Sequence, residues 1–330
     1  MTLNPRVLGI LGLLVATMAW GSLFLVGKPV LTHVNPVWFT FIRYTLATAA
    51  FAMLITWRDG SAWRKLRRHG PRLALMGFAG YGFFSVLVLV GLAHSVPSHG
   101  AVIIATMPIT TQLLRWLLDG IKPTQTVLLS SAMALLGVVT VSGVLMVGAS
   151  DGSAAIGDLL ALIGTLGWIA YTRGSARLPS LSVLEYSALT AVAAWPLLLL
   201  TALVGAATSL AVVPTLADLA VSWHALLYIA AVPSVLAVLA YNFGVKTMGA
   251  VTGTAFLNVV PVSAVLMSVA LGKTPEPHEI AGLVLVVSAL LIQTATLKRS
   301  AEAQTGSAHR GPALVVRVPA TALARRDCKA

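Results

Sequence analysis

Residues 98–118 read SHGAVIIATMPITTQLLRWLL, and residues 251–271 read VTGTAFLNVVPVSAVLMSVAL. Each stretch can cross a bilayer as a helix, because about 20 residues at a rise of 1.5 Å per residue span roughly 30 Å of hydrocarbon. At a constant offset of 153 residues they share Gly100 with Gly253, Pro108 with Pro261, Leu113 with Leu266, and Leu118 with Leu271. A proline in mid-helix removes one backbone hydrogen bond and bends the helix. Pro108 and Pro261 therefore predict two matched helix breaks that face one central space.

The composition places the whole chain in a membrane. Of its 330 residues, 58% are hydrophobic and 10% are charged, and the mean hydropathy is +0.90. Soluble domains lie far from these values. The apolar runs predict an all-α integral membrane protein of the plasma membrane with ten transmembrane helices, at about residues 7–27, 37–57, 73–93, 98–118, 125–147, 157–175, 183–205, 223–245, 250–271 and 279–297.

The net charge of +12 arises in loops and in the C-terminal segment, so the charge does not indicate a nucleic-acid partner. The strongest cluster lies in residues 58–72, which hold Arg58, Arg64, Lys65, Arg67, Arg68 and Arg72 against Asp59. Cytoplasmic loops of membrane proteins are enriched in Lys and Arg. This loop is therefore predicted to lie inside the cell, and both termini with it.

Residues 298–330 form a basic segment that is predicted to be a disordered cytoplasmic tail or to lie on anionic membrane lipid. Its charged residues are Lys298, Arg299, Arg310, Arg317, Arg325, Arg326 and Lys329 against Glu302 and Asp327. The tail also holds Cys328, the one cysteine of the chain, so no disulfide is expected within the chain.

The rest of the chain divides into two halves, residues 1–147 and 148–297, each with five predicted spans. Five is odd, so the second half must enter the membrane in the opposite direction. The loop after span seven accordingly contains Asp218 and no Lys or Arg, unlike the basic loop after span two. A sequence echo at an offset of 148 pairs Leu14, Thr17 and Trp20 with Leu162, Thr165 and Trp168. Together these features predict an inverted repeat.

Five runs carry a resemblance to a known family: ATMAWGSLFLVGKPVL (16–31), NPVWFTFIRYTLATAA (35–50), AVIIATMPITTQLL (101–114), GDLLALIGTLGWIAY (157–171) and AVTGTAFLNVVPVSAVLM (250–267). The chain resembles the ten-span EamA-type branch of the drug/metabolite transporter superfamily over about residues 7–297. The resemblance implies two EamA-like repeats in the bacterial inner membrane, with export as the expected direction.

Arg43 is the sharpest candidate for substrate binding, because a charged side chain within a span must face protein or water. It would hold a carboxylate or phosphate group of the substrate through paired hydrogen bonds. The alternative is a structural arginine that bonds backbone carbonyls at a helix break or extends to the membrane surface.

A second group of candidates consists of aromatic and amide side chains inside predicted spans: Trp20, Tyr81, Gln112, Trp168, Tyr171, Tyr241 and Asn258. Such residues suit a cavity for small organic solutes. Helix packing is the alternative for Trp20 and Trp168, an interfacial aromatic belt is the alternative for Tyr241, and Asn258 would otherwise bond the carbonyl freed by Pro261.

Other site chemistry has little support in the sequence. Glu185 could carry a coupling proton, but its place after Ser182 favours a helix start, and no acid lies clearly at mid-membrane. His94 and His99 lack the spacing of a metal site. No nucleotide-binding motif and no nucleophile, base and acid set occurs, so no cofactor, metal or enzymatic activity is expected. The oligomeric state is left open.

The sequence therefore predicts a secondary transporter that exports small metabolites, such as amino acids or xenobiotics, by alternating access at a central cavity. A membrane sensor or interaction protein that keeps the fold without transporting a solute is the alternative.

Overall fold

The protein's computed structural model describes residues 4–94, 103–141, 152–272 and 274–308. Within that part of the chain the regular structure is helical throughout, with no β-strand, which confirms the predicted all-α class. The α-helices are α1 (Pro5–Leu31), α2 (Pro36–Asp59), α3 (Ala62–Gly77), α4 (Phe84–His94), α5 (Met107–Asp119), α6 (Gln125–Val141), α7 (Gly152–Ala176), α8 (Val183–Ala207), α9 (Leu216–Ile229), α10 (Ala237–Met248), α11 (Ala250–Phe256), α12 (Val259–Ala270) and α13 (Pro277–Ala308).

Seven helical runs of the described residues are long and apolar enough to cross a membrane: Pro5–Leu31, Pro36–Arg58, Ala62–Gly91, Ala155–Ala176, Val183–Ala207, Leu216–Met248 and Ala250–Ala270. Each coincides with a predicted span. Two shorter apolar helices, Gln125–Val141 and Pro277–Gln293, coincide with two more. The remaining predicted span, 98–118, is described from residue 103 and contains α5. The protein is therefore a multi-pass membrane protein.

The first two helices show how the sequence sets a helix start. Asn4 and Asn35 each precede a proline, and their side chains accept hydrogen bonds from the backbone N–H groups of Arg6 and Val37. Asparagine satisfies a free N–H at this position, and proline lacks the N–H that would otherwise go unpaired. The connection between α1 and α2, residues 32–35, is consequently short.

The last helix continues beyond the predicted end of its span. We expected a disordered tail from Lys298, but α13 runs to Ala308. The intervening residues include Ala, Glu and Gln, which favour helix. Residues 309–330, with Cys328, lie outside the described part of the chain.

Two π-helical segments interrupt the long apolar helices at equivalent places. Phe78–Phe83 connects α3 to α4, and Ala230–Leu236 connects α9 to α10. The second segment contains Pro233, which cannot donate a helical hydrogen bond. A π turn widens the helix and often occurs at functional sites. The two segments begin 152 residues apart, close to the offset that relates Pro108 to Pro261.

The helices pack in pairs that repeat between the halves. Helix α1 packs against α10, and α7 packs in the same way against α4. The other main pairs also join one half to the other: α2 with α8, α3 with α8, α6 with α13, α1 with α12, and α5 with α11. This pattern is the one expected when two copies of a five-helix unit enclose a common axis.

Glycines permit the closest of these contacts. A Cβ atom on Gly137 of α6 would lie 2.9 Å from the carbonyl oxygen of Gly282 on α13. On α1, a Cβ on Gly12 would lie 2.9 Å from the carbonyl oxygen of Ala240 on α10. Small residues let membrane helices approach closely and gain packing energy. These glycines therefore fix the spacing of the pairs that frame the site.

Candidate functional site

A cavity of about 540 Å³ lies between the two halves of the bundle. The residues that line it are mostly apolar: Trp20, Leu23, Gly27, Lys28, Leu31, Pro36, Phe39, Arg43, Tyr44, Phe84, Ser85, Val88, Leu89, Ile104, Met107, Trp168, Leu257 and Val260. A cavity of this size, with apolar walls and few polar groups, is typical of sites for small organic ligands.

The cavity runs from the α1–α2 connection to the middle of the bundle. Lys28 is exposed and lines the cavity at the end that is next to this connection. Trp20 lies eight residues earlier in α1, or about 12 Å along the helix. Trp168, with 3% of its surface exposed, lines the deep end with it.

Arg43 supplies the buried positive charge of this cavity. It is 6% exposed, and its Nη2 atom donates hydrogen bonds to Ser85 Oγ at 2.8 Å and to Tyr44 Oη at 3.2 Å. Its guanidinium carbon lies 4.5 Å from the ring centroid of Tyr44. These partners hold the side chain from α2 across to α4.

The guanidinium of Arg43 keeps unused hydrogen-bonding capacity. Its Nε atom is buried without a partner, and no Asp or Glu of the described residues lies within 4.0 Å of the group. The predicted alternative of bonds to backbone carbonyls is not observed, because its recorded partners are two side-chain hydroxyls. A buried charge without a counter-charge is costly, so an anion in the cavity would be bound favourably.

Trp20 and Trp168 meet at the deep end of the cavity. Their rings are edge to face, with centroids 5.2 Å apart. Trp20 Nε1 donates to the carbonyl oxygen of Pro233 at 2.9 Å, whereas Trp168 Nε1 is buried without a partner. Both indoles contribute to the cavity wall, so the structure combines the predicted lining role with the predicted packing role.

Buried tyrosines fill the centre of the bundle behind the two indoles, on the side away from the cavity. The hydroxyls of Tyr81 and Tyr171 are 2.6 Å apart, and Asn242 Nδ2 donates to Tyr171 Oη at 2.6 Å and to Ser187 Oγ at 2.8 Å. Tyr81 and Tyr171 are fully buried, and Asn242 is 2% exposed. Buried tyrosine hydroxyls require such partners. The network joins both halves and separates the cavity from the opposite end of the bundle.

Tyr241 belongs to the same barrier. It is fully buried, its ring centroid lies 5.2 Å from that of Trp20, and its hydroxyl lies 3.2 Å from Thr172 Oγ1. An interfacial belt would expose this ring to lipid headgroups, so that alternative is wrong. Tyr81, Tyr171 and Tyr241 thus lie behind the cavity wall rather than on it.

Gln112 of α5 and Asn258, which follows the cavity residue Leu257, are both buried. Each is 2% exposed, and the side-chain oxygen of each has no hydrogen-bond partner. Asn258 does not satisfy the carbonyl freed by Pro261, because the Leu257 carbonyl oxygen accepts instead from the backbone N–H of Val260 at 3.0 Å. The structure therefore leaves both amides with unused polar atoms.

The chain breaks its helices close to the matched prolines. A turn at Thr106 precedes α5, and Pro108 lies in the first turn of that helix. Leu257 and Asn258 separate α11 from α12, in which Pro261 is the third residue. The neighbouring residues Ile104, Met107, Leu257 and Val260 line the cavity.

Several cavity residues escaped the sequence reasoning. Tyr44 and Ser85 are the partners of Arg43, and Phe39 adds an aromatic wall. Tyr44 follows Arg43 directly in the sequence, and this adjacency was a usable signal. Ser85 was hidden, because its importance arises from the π-helical segment that ends two residues before it.

Glu185 is not among the described residues that line the cavity. Glu185 lies in the first turn of α8, where it forms a capping box with Ser182 and an ion pair with Lys65. Among the described residues no group of three His, Cys, Asp or Glu side chains could hold a metal ion. His99 lies outside those residues.

Comparison with known proteins identifies the family. The sequence model of the EamA-like transporter family matches residues 7–143 and 155–294. The chain belongs to the EamA-like transporter family. The uncharacterized transporter YrdR of Bacillus subtilis (strain 168) is 29% identical to this EamA-like chain over 296 residues, covering 86% of this chain and 90% of that protein.

Two further comparisons agree with this assignment. The uncharacterized transporter YyaM of the same organism is 26% identical over 286 residues, covering 84% of this chain and 90% of that protein. A solved crystal structure superposes with a TM-score of 0.71 at 20% identity, covering 89% of this chain and 98% of the other. It shares the fold. Membership of the EamA-like family also indicates a transporter rather than an enzyme.

Proposed function

We propose that this EamA-like protein is a secondary transporter that exports small metabolites by alternating access at the 540 Å³ cavity. The observation that carries the proposal is a cavity that reaches one end of the bundle and is closed toward the other by Trp168 and the tyrosines behind it. A solute site with one open and one closed end is what alternating access requires.

The proposal includes ten spans in two inverted halves with both termini in the cytoplasm. The equivalent π-helical segments, the repeated helix pairs and the helix breaks beside Pro108 and Pro261 support the inverted repeat. The basic loop around Arg67 supports the orientation. In this arrangement the cavity opens to the outside, because the α1–α2 connection is external.

The polar groups of the cavity favour solutes that carry a carboxylate or another single negative charge on an apolar body. Arg43 offers a free Nε–H group, and Trp20, Trp168 and Phe84 offer aromatic surface. The described lining residues include no Asp or Glu, so they offer no counter-charge to a solute ammonium group. Aromatic organic acids fit this pattern best, amino acids fit it through their carboxylate alone, and organic cations do not fit it.

The test is flux in reconstituted vesicles. The purified protein is inserted into liposomes loaded with a panel of labelled amino acids and aromatic carboxylates, and release is followed with and without a pH gradient. We expect release of at least one anionic or zwitterionic solute above that of empty liposomes, and a response to the gradient only if a proton is coupled. Absence of release for the whole panel contradicts the proposal and favours a sensor.

A further inference from the structure

A second cavity lies at the opposite end of the bundle from the α1–α2 connection. Its volume is about 420 Å³, and its lining residues come from the ends of α5 and α7 and from the α10–α11 link: Thr111, Arg115, Asp119, Arg173, Ala176, Arg177, Met248, Gly249, Ala250, Val251 and Thr252. On α7, Trp168 faces the first cavity, whereas Arg173 and Arg177 lie about 8 and 14 Å further along the chain direction.

The second cavity carries an excess of positive charge. Of the described residues, three arginines and one acid, Asp119, line it. Arg173 Nη2 donates to both carboxylate oxygens of Asp119, at 2.8 and 2.7 Å, and Arg177 Nη2 lies 3.5 Å from one of them. One carboxylate cannot neutralise three guanidinium groups. Two positive charges therefore remain uncompensated by the lining residues.

Two polar groups of α5 have hydrogen-bonding capacity to spare in this cavity. Thr111, 1% exposed, has a buried hydroxyl without a partner. Arg115 is half-buried, and none of the described residues pairs with it by a hydrogen bond or an ion pair. With Asp119 they recur every four residues, so all three lie on one face of the helix. That face presents a hydroxyl and a guanidinium to any ligand in the cavity.

We propose that Arg115, Arg177 and Thr111, with Arg173 held in place by Asp119, form an oxyanion-binding site for a carboxylate or phosphate group. Guanidinium groups bind such groups through paired, charge-assisted hydrogen bonds. Arg173 has 13% of its side chain exposed and Arg177 has 56%, so the attraction is strongest at the partly desolvated Arg173 and is screened by solvent at Arg177. The site stands whether or not the first cavity transports a solute.

The oxyanion can come from a soluble organic anion or from the headgroup of an anionic lipid. Basic pockets at the cytoplasmic ends of membrane helices can bind phosphate headgroups. Beside the site, Leu117 of α5 is 80% exposed and Trp116 is 47% exposed, which would suit an acyl chain. The experiment therefore has one arm for each source.

The first arm uses the full-length protein in nanodiscs of pure phosphatidylcholine. Thermal unfolding is followed as inorganic phosphate replaces chloride at constant ionic strength. The second arm counts bound phosphatidylglycerol by native mass spectrometry. The test variant combines Arg115→Gln with Arg177→Gln, which leaves the Asp119 pair with Arg173 intact. The control combines Arg67→Gln with Arg68→Gln, two exposed residues of α3.

We expect the test variant to bind phosphate, phosphatidylglycerol or both at least about tenfold more weakly than the wild type and the control. Loss in the first arm identifies a soluble anion as the ligand, and loss in the second identifies a lipid headgroup. A general stabilising effect of phosphate acts on all three proteins alike. Equal behaviour of the three proteins in both arms overturns the proposal.

Discussion

The indole rings of Trp20 and Trp168 meet edge to face at a centroid separation of 5.2 Å, although 148 residues separate them in the chain. The offset of 148 residues pairs them in the proposed repeat. Where two similar units are related by a two-fold axis, residues near that axis contact their own equivalents. The pair therefore marks the centre of the bundle, and the first cavity ends on it.

Replacing Trp168 by alanine should destabilise the protein strongly. This ring contacts those of Trp20, Phe84, Tyr171 and Tyr241, so its loss leaves a void in the centre of the fold. We expect a loss of about 3–5 kcal/mol in the free energy of unfolding. Denaturation in mild detergent measures it.

The matched control for Trp168→Ala is Trp57→Ala, because Trp57 is 87% exposed. Its effect should stay within about 0.5 kcal/mol. Equal effects of the two substitutions would show that the ring cluster contributes little to the fold.

Arg43→Gln should reduce release of the solute that the vesicle panel identifies. The glutamine keeps much of the side-chain bulk but removes the charge, so an anionic group in the cavity loses its counter-charge. We expect a reduction of about tenfold or more in initial rate, within the range for truncating a buried charge pair. Ser85→Ala, which removes one anchor of the guanidinium, should have a smaller effect of the same sign.

The purified yield and thermal stability of the Arg43→Gln and Ser85→Ala variants are first compared with those of the wild type, so that misfolding is not mistaken for lost transport. A variant that folds and releases the solute at the wild-type rate would leave Arg43 with a structural role alone.

Tyr171→Phe should loosen the barrier behind the cavity. The substitution removes the hydroxyl that accepts from Asn242 and pairs with Tyr81, and the amide of Asn242 is then left with Ser187 alone. The expected loss is about 1–3 kcal/mol, because a buried donor loses its partner. A double-mutant cycle with Asn242→Leu measures the coupling, and strict additivity would contradict the network.

Gly137→Leu should disrupt the contact between α6 and α13, because even a Cβ atom at this position would crowd the Gly282 carbonyl oxygen and Val286. The matched control is Gly70→Leu in α3, where nothing lies within 4 Å of the added atom. We expect the first substitution to lower the unfolding temperature by several degrees and the second to leave it nearly unchanged. Similar temperatures for both variants would show that the two helices can separate freely.

The ion pair of Asp119 with Arg173 should depend on pH in a defined direction. The hydrogen bond from Arg173 lowers the pKa of Asp119 below its ordinary value. A carboxyl group with a lowered pKa contributes stability that is complete above its ordinary pKa and is lost as the pH falls through the lowered one. The wild type should therefore exceed Asp119→Asn in thermal stability by a constant margin from pH 8 down to the ordinary carboxyl range.

At lower pH that margin should shrink, and thermal scans of both proteins across the pH series provide the measurement. A margin that already changes between pH 8 and pH 6 would mean that another group titrates at the pair.

The sequence predicted the elements of this fold better than their contacts. Length and hydropathy placed the helices, and the matched prolines placed the interruptions near Thr106 and Asn258. The π-helical segments were not predicted, because helices that are apolar on all sides show no amphipathic phase from which a shift of register could be read. The sequence echo at an offset of 148 residues did pair Trp20 with Trp168, and these two rings are in contact in the structure.

The sequence could identify the candidate site residues whose chemistry is unusual for a membrane span. Arg43 was visible as a charge within a span. The second cavity was not, because Arg173 and Arg177 read as ordinary charges at the end of a span, and Arg115 lies three residues before the end of another span that is distant in the chain. Only the packing of α5 against α7 assembles them.

The inverted arrangement of the two halves is tested most directly by their membrane topology. In a Cys328→Ser background, single cysteines are introduced as Arg67→Cys and Val212→Cys, both at exposed positions, and intact cells are treated with a membrane-impermeant thiol reagent. The account predicts labelling of the residue-212 cysteine in intact cells and of the residue-67 cysteine only after the membrane is opened. Labelling of both from the same side would contradict it.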